Sequence, residues 1–281
     1  MTKLVLKSLT VAVLALSAVA ANAADANVTN NVIMGTGGTT NGNYTIGTGN
    51  NIEIGLRARE RHDLVNNLPT NVSGTNNNGS YNQNAGEPPG FGGVGQNRAR
   101  WNFDWSINTD QSGQGGVNVN AYTYLLSMDF DPGVGTNFQT FNPINGTTTC
   151  ADHSFGNNLT LQSAGDEVVG NIGPVIGNNK CGPLNVAADS IQYTTLLAGN
   201  NLVQNSWNYD FFDSLLFPFD PDAQGTYTIK LEAFGTATGI ALASSTINVN
   251  VGAAAVPEPG SMALVGLALA GLAVMRRRRK V

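Results

Sequence analysis

The 281-residue chain predicts an all-β body, a β-sandwich of jelly-roll or immunoglobulin-like type with long Asn/Gly-rich loops. Three observations carry this. Between the two ends, no stretch keeps a helical apolar period over three turns. Short segments instead alternate apolar and polar residues, as at Trp101, Phe103, Trp105 and Ile107. Turn-forming clusters drawn from 34 glycines and many asparagines separate them.

Taken in order, residues 25–50 have few side chains to bury (Val32, Ile33, Met34, Tyr44, Ile46) and form a loose entry with one short strand. Residues 51–60 place Ile52, Ile54, Leu56 and Ala58 on one parity, a strand. Residues 68–96, with Pro88-Pro89 and almost no apolar period, read as a long surface loop. Residues 100–108 and 117–129 read as two strands joined by the 113–116 turn into a hairpin, which Asp131-Pro132-Gly133 closes. From 135 to 183 the chain is turn-rich, with short strands expected at 158–161 and 167–176. Two further strands, 190–198 and 201–212, flank Gly199-Asn200. The last pair, 226–234 and 240–251, follows the turn at Phe219-Asp220-Pro221-Asp222. Its Gly-Thr-Tyr-Thr-Ile-x-Leu pattern resembles the final hairpin of bacterial Ig-like surface domains.

The two ends are addresses. Lys3 and Lys7, the apolar run 9–19 and Ala21-Asn22-Ala23 form a secretory signal peptide over residues 1–23, a substrate for signal peptidase. At the other end, Pro257 and Pro259 bar helix before residue 260. Residues 261–275 then carry no charge and span roughly 22 Å as a helix, short of a ~30 Å hydrocarbon core. Snorkelling arginines and flanking residues make up the difference, giving one transmembrane helix with a basic tail at 276–280. Those five cations mark the cytoplasmic side, so the body lies across the membrane from them.

The order Pro257-Glu258-Pro259, short apolar span and Arg276-Arg277-Arg278-Arg279 resembles the PEP-CTERM sorting signal of Gram-negative bacteria. The resemblance covers under a tenth of the chain. It implies recognition by exosortase, a membrane-embedded, cysteine-dependent processing enzyme. It further implies removal of the tail and delivery of residues 24–255 to the cell surface or an exopolysaccharide matrix.

Composition narrows what that body does. Residues 24–255 hold seven of the 14 basic residues and 18 of the 19 acidic ones, a formal charge of −11. Such a surface repels nucleic acid and anionic lipid and tolerates neutral sugars and divalent cations; solubility alone also accounts for the acidity. Cys150 and Cys181, an even count in an exported chain, read as one disulfide.

Several residues invite a chemical reading. Asp129, Asp131, Asp220 and Asp222 place carboxylates two apart in tight turns and are either calcium ligands or turn caps. Asp129, Asp131, Asp210 and Asp213 lie at strand ends, where a carboxylate pair would have to converge for glycoside hydrolysis. His62 sits in a charged patch. Asp152, His153 and Ser154 are adjacent, so neighbours on one strand point to opposite faces and form no triad among themselves. Trp101, Trp105, Trp207 and Tyr209 are candidates for stacking on sugar rings or for the core. The expectation is a non-enzymatic structural or adhesive matrix protein associated with exopolysaccharide or biofilm. A secreted carbohydrate-active enzyme and a calcium-dependent carbohydrate-binding module stand as alternatives.

Overall fold

A computed structural model of the chain describes residues 25–34, 40–60, 73–88, 97–144, 153–157, 194–235 and 239–252. The expected signal peptide at 1–23, the expected transmembrane helix at 261–275 with its basic tail, the expected Cys150–Cys181 disulfide, His62 and the strands expected at 158–161 and 167–176 lie outside the described residues.

Among the described residues, ten strands follow in chain order: β1 (Thr45–Gly49), β2 (Ile52–Glu60), β3 (Ser80–Gln83), β4 (Trp101–Asn108), β5 (Thr123–Asp129), β6 (Phe138–Phe141), β7 (Ser154–Gly156), β8 (Leu202–Trp207), β9 (Gly225–Phe234) and β10 (Ala241–Val251). They form two five-stranded sheets, β1-β2-β4-β8-β7 and β3-β10-β9-β5-β6. Every pairing is antiparallel except β3 with β10. One core lies between the sheets, with Ile54, Leu56, Trp105 and Ile107 from the first and Leu126, Leu231, Ile247 and Val249 from the second. The all-β expectation therefore holds. Among the described residues, helix is confined to residues 194–199 and two short 3₁₀ turns.

The final hairpin is as read, with β9 and β10 in register from Ala243/Ala233 to Val251/Gly225 and one irregularity at Ala241. Four expectations change. β4 and β5 do not pair; each sits in a different sheet. The reason is Asp110, whose carboxylate accepts the Gln114 and Gly115 N–H groups and turns the chain away from β4. The 3₁₀ turn Val119–Ala121 then carries it across to the second sheet. The loop at 68–96 contains β3, whose Ser, Asn and Gln side chains gave it no strand signature; Tyr81 alone enters the core. Residues 194–199 are helical, where the second half of a strand was expected. The strand after them ends at Trp207, because the Asn208 side chain accepts the Asp210 N–H and starts a 3₁₀ turn.

Both faces of β2 are buried, so its alternation does not mean half exposure. The entry segment explains this. Val28, Met34 and Tyr44 pack over the outer face of the first sheet as a second small cluster. Asn41 holds that segment together, accepting the Val28 N–H and donating to Val28 and Asn30 carbonyls. Among the described residues, nothing comparable covers the far face of the second sheet, where Ser244, Thr246, Asn248 and Thr226 are exposed.

Candidate functional site

The most charged cluster lies under that entry segment. Arg57 and Arg59 of β2 both donate Nε–H to Asp104 Oδ2 of β4, at 2.8 and 2.5 Å. All three side chains are almost fully buried. Burial by itself would raise the Asp104 carboxyl; Arg59 and Arg57 overcome it and hold it below the ordinary carboxylate range. Arg57 also donates to the Thr40 and Gly42 carbonyls, and its guanidinium lies 4.2 Å from the Tyr44 ring centroid. Glu53 accepts from Thr29 through both oxygens. The ion pairs tie β2 to β4, and the bonds from Arg57 and Glu53 to Thr40, Gly42 and Thr29 fasten the entry segment over them, so the cluster is buried and committed to structure.

His153 is equally enclosed. Its Nδ1 accepts from the Asn205 amide and its Nε2–H donates to the Pro143 carbonyl, both at 2.9 Å. Asn205 Nδ2 can only donate, which fixes that tautomer. Burial pushes the imidazole down to about 3, against a smaller upward pull from Pro143. A ring so held is neutral and occupied at both nitrogens. Ser154, its chain neighbour, belongs to the short edge strand β7.

The aromatics go to the core. Trp101, Trp105, Trp207 and Tyr209 are 2, 0, 6 and 0 % exposed, and their rings pack on one another and on Phe103, Phe130 and Tyr227. None of the four presents a face on which a sugar could stack.

The acidic turns gather at one end of the two sheets. Asp129 accepts the Asp131 and Asn137 N–H groups, Asp131 that of Gly133, and Asp220 that of Asp222. These are self-capped turns. Asp210 pairs with Arg98 at 3.3 Å, and Asp213 accepts the Phe219 N–H. Among the described residues no group of three or more His, Cys, Asp or Glu side chains is placed to hold a metal ion.

The remaining candidate is the uncovered face of the second sheet, which sequence reading missed. Its residues are the outward half of each alternation. Thr226 Oγ1–H donates to Asn250 Oδ1 (3.0 Å), Asn250 Nδ2 to Asn82 Oδ1 (3.3 Å), and Asn82 and Asn76 exchange amide bonds (2.9 and 3.2 Å). One residue pair along, roughly 7 Å away, Thr228 Oγ1–H donates to Asn248 Oδ1 at 3.0 Å, with Ser80 as the next cross-strand neighbour. The charges on β9 are Lys230 and Glu232, which bond each other at 2.8 Å. The face therefore offers hydroxyl and carboxamide groups, each able to donate and accept, in rows fixed by the strand register. The signal was present in the sequence as Asn248-x-Asn250 opposite Thr226-x-Thr228, but only the register of β9 and β10 makes them neighbours.

A family model described as the PEP-CTERM protein-sorting motif matches residues 255–279. That stretch includes Pro257, Glu258, Pro259 and all four arginines from Arg276 to Arg279. No curated protein and no solved structure matches the chain.

Proposed function

We propose that this chain, an exosortase substrate bound for the cell surface by virtue of its PEP-CTERM motif, works there as a non-enzymatic structural or adhesive protein that binds neutral exopolysaccharide. One observation carries the reading: the hydrogen-bonded Thr/Asn rows on the open face of the second sheet. Sugar hydroxyls also donate and accept at once, so a neutral glycan laid on these rows exchanges bonds with groups already ordered by their neighbours. The formal charge of −11 over residues 24–255 opposes polyanions and nucleic acid. Signal peptidase removes residues 1–23 in this scheme, a Gram-negative envelope is the setting, and the two sheets act as a jelly-roll or immunoglobulin-like β-sandwich. The engaged nitrogens of His153 and the capped acidic turns support a binding role over a hydrolytic one.

Affinity electrophoresis through gels containing the host's neutral exopolysaccharide tests this. The processed protein should be retarded, and the T226A/T228A/N248A/N250A variant should lose at least tenfold in affinity. These side chains point outward, so the variant keeps the core. Equal retardation of the two proteins would remove the sheet face from the reading.

A further inference from the structure

From the end of the molecule at which the chain leaves for its tail, we infer a membrane-seating tip built from Val134, Leu215 and Leu216. β10 ends at Val251, opposite Gly225, and the Gly252 N–H donates to the Gln83 carbonyl. Gly225 approaches Pro132 so closely that a Cβ there would lie 1.9 Å from the Pro132 oxygen, and the Thr226 N–H donates to that same oxygen. The exit point thus abuts the turn between β5 and β6. In that turn Val134 is 108 % exposed. A second loop meets it, with Asn137 Nδ2 donating to the Leu216 carbonyl and the Phe130 ring 5.6 Å from that of Phe217. On that loop Leu215 and Leu216 are 102 and 78 % exposed.

Three nearly bare aliphatic side chains on two abutting loops are costly in water. Position identifies their occupant. From Gly252 to the start of the apolar run at Ser261 are nine residues, at most about 30 Å of chain. While the tail is in the bilayer, this end of the body is held at that bilayer's outer surface. The tip then dips into the interface as exposed aliphatic side chains do. Asp131, Asp220 and Asp222 lie at the same end and stay in the headgroup water, so the tip favours zwitterionic over anionic lipid. Ile240, 69 % exposed, precedes the start of β10 at the opposite end and faces away from the membrane. The seat orients the body before sorting and does not depend on any affinity for polysaccharide.

The test uses the full chain reconstituted in phosphatidylcholine vesicles. An environment-sensitive fluorophore is attached at L215C or, for comparison, at I240C. The parent chain carried through the same labelling sets the background from Cys150 and Cys181. Brominated acyl chains should quench the Leu215 probe several-fold more than the Ile240 probe. Adding anionic lipid at low salt should reduce that difference. Equal quenching at the two sites, or none at Leu215, would overturn the seat. A Leu215 signal that ignores lipid bromination and grows with protein density would also overturn it, assigning the tip to a second copy of the chain.

Discussion

At the scale of single residues, the side chains that most suggested chemistry are the ones most committed to structure. His153 is the clearest case, because its environment makes a pH prediction. Its ordinary value near 6.5 applies in the unfolded chain, whereas burial in the fold holds it at about 3. The native state therefore excludes a proton that the unfolded state binds below pH 6.5. The stability due to neutral His153 is complete above that pH and is lost as pH falls from about 6.5 toward 3, by up to about 1.4 kcal/mol per pH unit. Urea unfolding at pH 7.5, 6.5, 5.5 and 4.5 should show this decline. The H153Q variant, less stable at pH 7.5, should lose most of the slope between 6.5 and 5.5; an unchanged slope would locate the proton elsewhere. None of this was legible in the sequence, where His153 is simply flanked by Asp152 and Ser154. Its partners, Pro143 and Asn205, lie 10 and 52 residues away. The same holds for Asp104, which in the sequence is one polar residue between Phe103 and Trp105 and in the fold lies between two buried arginines.

Among the elements, legibility followed length and pairing distance. β4, β9 and β10 are long, alternate cleanly and were read nearly to the residue. β3, β6 and β7 have four, four and three residues, too few to show a period, and their pairings carry them. The error in joining β4 to β5 has a related cause: a turn signature states that the chain turns, not into which sheet. β1 shows how pairing across sheets constrains sequence. It lies against β10 so closely that a Cβ on Gly47 would stand 1.6 Å from the Ser244 carbonyl oxygen. The Ser245 hydroxyl donates to the Thr45 carbonyl beside it, and the Tyr81 hydroxyl, reaching from β3, donates to the Asn43 carbonyl. Gly47→Ala must therefore push β1 off β10. It should destabilise by about 2 kcal/mol or more, lowering the urea midpoint, whereas alanine at Gly239, where nothing lies within 4 Å, acts through its φ of +60° alone. Equal midpoints for G47A and wild type would mean that β1 is not seated on β10.

For the whole molecule, the most legible part is the one read linearly. A sorting signal is a local order of residue types, so residues 255–279 announce themselves without a fold. The Thr/Asn face proposed to bind glycan does not, because it exists only where β3, β9 and β10 lie side by side. The two meet at Gly252, and their closeness has a kinetic consequence. β10 is in register with β9 through Val251, and the motif begins at residue 255, so almost no spacer separates strand from signal. From Gly252 to Pro257 the chain reaches at most about 17 Å. A membrane-embedded processing enzyme must therefore work within that distance of a folded two-sheet body. Ten Gly/Ser residues inserted after Gly252 should leave the fold intact and speed the loss of the tail, followed by intact mass in cell fractions over time. Wild type should finish as a surface form lacking residues 1–23 and everything after about Pro257. If the insertion leaves the rate unchanged, processing precedes folding of the last hairpin, and the tight junction is no obstacle. If the tail stays intact in the inner-membrane fraction in both proteins, the apolar run serves as a plain anchor, and the polysaccharide role loses its route to the matrix.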